Sequence, residues 1–178
     1  MKEWPLISAG AFLLIVICNS KTRVFRVVKE QFNIYKNDKT GRYSVWDIFS
    51  FILAPGFIAC FIAKNLQLDV IIRNADVIIT LFSLIATLPL SFLELFVDKM
   101  LIEEKEKEVA REAFVSITVD IVYSMIIIGL VIVAKFMDVS IIWEQITVAI
   151  LAFLVIKIAL NVLMIMKRIF AVWDVINS

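Results

Sequence analysis

Two long apolar runs, residues 115–137 and 146–166, are joined by a short polar link, and this pairing constrains the fold more than any other feature of the chain. As helices they measure roughly 31 to 35 Å, enough to cross a hydrocarbon core of about 30 Å. They read as a transmembrane hairpin. The rest of the chain agrees, since 62% of its 178 residues are hydrophobic, and a water-soluble domain carries only roughly 45 to 50%. The expected fold class is all-α, a polytopic transmembrane helical bundle forming a single integral membrane domain over 1–178.

Three further apolar stretches, 4–20, 45–66 and 77–97, are candidate spans. The first is short, and a helix lying in the interface is its alternative, so the count is four or five spans. Pro55 with Gly56 in the second span and Pro89 in the third each remove a helix hydrogen bond and permit a kink. Gly56, Ala59 and Ala63 make a modest stripe of small residues that allows close helix approach.

The charges give a direction across the bilayer. Between residues 21 and 44 lie seven Lys and Arg, in 98–114 four and in 167–178 two, leaving Lys2, Lys64, Arg73 and Lys135 for the other side. By the positive-inside rule the three richer segments are cytoplasmic, and the C-terminus with them. In the first segment Phe25, Val28, Phe32 and Tyr35 recur at helical spacing beside cations. That pattern suits a short amphipathic helix, either on anionic headgroups, with Arg23, Arg26 and Lys29 as contacts, or packed on its own bundle. The second segment, with Glu103, Glu104, Lys105, Lys107, Glu108 and Arg111, reads as a solvated helix and a possible docking surface for a soluble partner.

Several function classes drop out. The chain has no histidine, which removes the usual proton shuttle and Ser-His or Cys-His nucleophile pairs. Cys18 and Cys60 lack metal-ligand spacing, and neither a phosphate loop nor a nucleophile elbow is present. No enzyme activity, cofactor or metal is expected. A net charge of +1 gives no reason to expect direct nucleic-acid binding.

Against this apolar background Asp120 and Lys157 stand out, because hydrocarbon penalises an ionisable group by a few kcal/mol or more. Folding the hairpin at 139–141 sets Asp120 opposite Asn161 and Lys157 opposite Tyr123 or Ser124, with Asn161 four residues beyond Lys157 on the same face. These residues form an intramembrane polar seam. It reads as an ion or proton path, a sensing element, or a clasp between helices or subunits. One acid, one base and one amide make a sparse path, which favours the clasp.

The size, the hydropathy layout, the basic stretch Lys21 to Arg42 and the charged stretch Asp98 to Glu112 together resemble the membrane subunits of the Kiwa anti-phage defence system. That resemblance implies a homo-oligomeric sensor in the bacterial inner membrane, working with a cytosolic effector protein. The expected function is thus a non-enzymatic membrane sensor or scaffold, with a pore or ion-channel-like effector subunit as the alternative.

Overall fold

The computed structural model describes residues 27–31, 45–97, 104–136 and 141–177, and every regular element within them is helical. A helical turn at residues 27–31 comes first. α1 (Val45–Ile48) then passes without a break through a π-helical stretch, Phe49–Leu53, into α2 (Ala54–Asn65). The short α3 (Leu68–Arg73) leads to α4 (Ala75–Val97), α5 (Glu104–Lys135) and α6 (Ile141–Asn177).

The π-helical stretch follows from Pro55. A proline cannot donate to the carbonyl four residues back, here Phe51, and its ring collides with that carbonyl in a regular α-helix. The wider turns just before it, closed by the Ala54 N–H donating to the Phe49 carbonyl, relieve the collision. Pro89 acts differently, because α4 runs through it as one helix.

Four helices run alternately up and down, in the lateral order α4, α5, α6, α2. Ala75, Phe82, Ile127, Val131, Leu151, Leu154 and Ile158 fill the main core, where α4, α5 and α6 meet. Ala63, Leu68, Ala134 and Val148 form a second cluster near the connecting links. On α2 the face turned to α6 carries Pro55, Ala59 and Ala63, all buried. The close-packing stripe therefore starts at Pro55 and not at Gly56, where an added Cβ would meet nothing within 4 Å.

Polar contacts fasten the end that holds both links. Lys135 Nζ donates to Asp76 Oδ1 at 3.0 Å, tying the last turn of α5 to the first of α4. Glu144 Oε1 accepts the Leu68 N–H at 2.9 Å and so caps α3, whose first N–H groups have no helical partner. The turn at 27–31 lies at the opposite end, where Glu30 meets Arg111 at 3.6 Å.

Arg111–Lys135 and Trp143–Lys167, 25 residues each, are long and apolar enough to cross a membrane. Well under half of the most apolar part of each is buried inside the protein. Phe49–Asn65 and Ala75–Thr87 are shorter apolar stretches of the helices beside them. The candidate span 4–20 lies outside the described residues, as do Arg23, Arg26 and Glu103. The charged segment at 98–114 is not a separate helix over its described part, because Glu104 to Lys135 is continuous.

Two substitutions on one face of α2 separate the packing claims. Ala59→Leu forces bulk against α6 and is expected to destabilise the detergent-solubilised protein by about 1 to 3 kcal/mol. Gly56→Ala, with free space around it and a helical backbone, is expected to be neutral or to stabilise by up to about 1 kcal/mol. Thermal unfolding followed by circular dichroism reads both.

Candidate functional site

The α5–α6 hairpin repeats a fixed register along its length. Ala134 and Val148 share one cluster, Ile127 and Leu154 another, and Asp120 meets Asn161 through a hydrogen bond from Asn161 Nδ2 to Asp120 Oδ1 at 2.7 Å. Helical spacing accounts for the composition of the seam. Ser116, Asp120 and Ser124 fall four apart on α5, as do Lys157 and Asn161 on α6, so each set shares one face. All five are buried, with Asp120 1% and Lys157 5% exposed.

The turn at residues 27–31 completes this arrangement. Ser116 Oγ donates to Gln31 Oε1 at 3.2 Å, and Gln31 Nε2 donates to Asn161 Oδ1 at 3.3 Å. Three separate stretches of chain thus meet in one buried relay from Ser116 through Gln31 and Asn161 to Asp120. Lys157 lies close enough to act electrostatically on Asp120, and its Nζ stands 5.8 Å from the centroid of the Phe51 ring. That distance is within cation–π range. Phe51 belongs to the π-helical turns that Pro55 imposes, so the distorted part of the α1–α2 helix is the part facing the lysine.

Further along, the same interface turns aliphatic. Ile127, Val131, Leu151 and Leu154 are all buried there. The seam is therefore polar in the half near residues 27–31 and apolar in the half near the links. Between the two, Ser124 Oγ is buried without a hydrogen-bond partner.

Other expected contact residues are spread out. Lys29 is exposed and Arg111 is 73% exposed beside Glu30. Glu104, Lys105, Lys107 and Glu108 occupy the first turns of α5. Gln31 and Ser116 were not singled out by sequence reasoning, although both carry a signal. Ser116 stands one helical turn before Asp120, and Gln31 is a polar residue at helical spacing from Val28 and Tyr35 on an otherwise apolar stripe. Among the described residues no group of three or more Cys, Asp and Glu side chains is placed to hold a metal ion.

Fold and site together define a helical protein with at least two helices fit to cross a membrane and a hydrogen-bonded polar cluster buried between them. Comparison with protein-family models, curated proteins and solved structures gives no match.

The relay sets an order of stability effects. Asn161→Ala strips partners from both Asp120 and Gln31 and is expected to destabilise most, by about 1 to 3 kcal/mol. Ser116→Ala removes one long bond and is expected to cost about 0.5 to 1 kcal/mol. Ser124→Ala, which deletes a hydroxyl bonded to nothing, is expected to be neutral or stabilising. Denaturant titration in mixed micelles checks the order, and an equal loss for both serines contradicts it.

Proposed function

We propose that the chain is a non-enzymatic integral membrane sensor or scaffold that engages a cytosolic partner, with a polar clasp holding its helices in register. The observation that carries this is the joining of residues 27–31, α5 and α6 by buried hydrogen bonds next to the end where both helices outrun their apolar stretches. α5 begins at Glu104, ahead of the span at Arg111, and α6 continues to Asn177, past Lys167. These extensions are about 10 and 15 Å long. A shift within the seam reaches them through rigid, unbroken helix.

Membrane insertion has independent support. Large apolar side chains face outward, including Trp46 at 77%, Phe57 at 74% and Phe61 at 72% exposure, a pattern that water penalises and lipid accepts. The hydroxyls of Thr80, Ser83, Thr87, Thr118 and Thr147 donate to carbonyls of their own helix, which satisfies them without water. The continuous helix from Val45 to Asn65 and α4 are about 30 to 35 Å long and lie alongside the two clear spans. We assign them as spans too, giving four crossings, or five with 4–20.

The excess of Lys and Arg in 21–44, 98–114 and 167–178 sets those segments, and the C-terminus, in the cytoplasm. The bacterial inner membrane, assembly as a homo-oligomer and a role in anti-phage defence follow from the resemblance to Kiwa membrane subunits. The competing pore reading uses the same polar residues. The aliphatic half of the interface, at Ile127, Val131, Leu151 and Leu154, leaves no continuous polar path along the α5–α6 interface in this conformation.

Charge reversal of the α5 extension tests the partner surface. With Glu104→Lys, Lys105→Glu and Glu108→Lys combined, pull-down from native membranes is expected to lose a cytosolic protein that the unaltered chain recovers, while insertion stays normal. Undiminished recovery counts against this surface.

A further inference from the structure

We propose that residues 27–31 are a detachable latch, closing the polar half of the seam through Gln31 and, on lifting, opening it to water from the end where α5 begins. The proposal deepens the sensor reading and rests on the helices crossing a membrane.

The hydrogen bonds of the relay differ in length. Asn161 donates to Asp120 at 2.7 Å, whereas the bonds joining Gln31 to Ser116 and to Asn161 are 3.2 and 3.3 Å, at the long end of the hydrogen-bond range. The short bond lies within the α5–α6 pair. The long ones join that pair to a segment belonging to neither helix. Next to Gln31, Glu30 meets Arg111 at 3.6 Å, and since Arg111 is 73% exposed, water and salt screen that contact. Of these contacts, lifting 27–31 breaks the two long bonds and the solvated one and leaves the α5–α6 bond intact.

Water can replace what is lost. Once Gln31 withdraws, the Ser116 hydroxyl and Asn161 Oδ1 face the space its amide filled, and a water molecule can accept from one and donate to the other. The far end stays closed, because beyond Ser124 the interface is packed with Ile127, Val131, Leu151 and Leu154. Opening thus produces a pocket wetted from one side and no through-channel. Ser124 lies at the inner limit of that pocket with a hydroxyl that has no hydrogen-bond partner. A reporter placed there disturbs none of the relay.

The test uses the full chain in lipid nanodiscs, with Cys18→Ser and Cys60→Ser removing the native thiols and Ser124→Cys providing the reporter. Its modification by a small water-soluble methanethiosulfonate is timed with Gln31 present and with Gln31→Ala. Labelling rate follows the population of the open form, and Gln31→Ala is expected to speed it about tenfold, the change produced by losing about 1.4 kcal/mol of closing free energy. Lys29→Cys, on the exposed side of the same segment, supplies a reference rate that must not change. Should Gln31→Ala fail to fold, Gln31→Met keeps the length of the side chain without its amide and is expected to speed labelling likewise. Equal Ser124→Cys labelling with and without the amide, in a folded variant, overturns the latch. That outcome leaves the partner surface on α5 standing, since pull-down tests it separately.

Discussion

One bond between an amide and a carboxyl group, Asn161 to Asp120, ties the two central helices of the described fold at a single height. A carboxyl group between apolar helices has few ways to be stable, and each requires a partner at a fixed height. Apolar contacts along α5 and α6 tolerate sliding, because one aliphatic side chain packs on its neighbour's site almost as well as on its own. A hydrogen bond at 2.7 Å does not tolerate it. The pairing of Asp120 with Asn161 thus fixes the register in which Ile127 meets Leu154 and Ala134 meets Val148.

The outer helices are positioned against that central pair by other means. α2 approaches α6 through Pro55, Ala59 and Ala63, whose small or compact side chains let the backbones come close, as membrane helices require when lipid competes equally for large apolar groups. The same proline places Phe51 in the widened turns opposite Lys157, so one sequence feature serves both packing and the polar site. α4 is held at its start by Ala75 and by the contact of Asp76 with Lys135, and two turns further on by Phe82.

Much of this was legible in the residues. Apolar run length gave the helical class and the hairpin, and counting helical rise from the link put Asp120 level with Asn161. Gln31 interrupts the apolar stripe of its own segment, but its partners lie 85 and 130 residues away, and spacing within one segment does not name them. On α2 the stripe holds at Ala59 and Ala63, and only its first member differs, since Gly56 invites a close-approach reading that the rotation of the helix denies. The charged segment beginning at Asp98 looked like an independent helix because its composition changes abruptly, yet a helical backbone from Glu104 onward is indifferent to that change.

The measurement closest to the central claim is a double-mutant cycle on Asp120→Ala and Asn161→Ala, with unfolding free energies taken in one bicelle composition. A register set by this bond predicts that the two losses are strongly non-additive, with a coupling of about 1 kcal/mol or more. Losses that add to within about 0.3 to 0.5 kcal/mol would mean that the two side chains act independently, and the polar clasp would not be what aligns the helices.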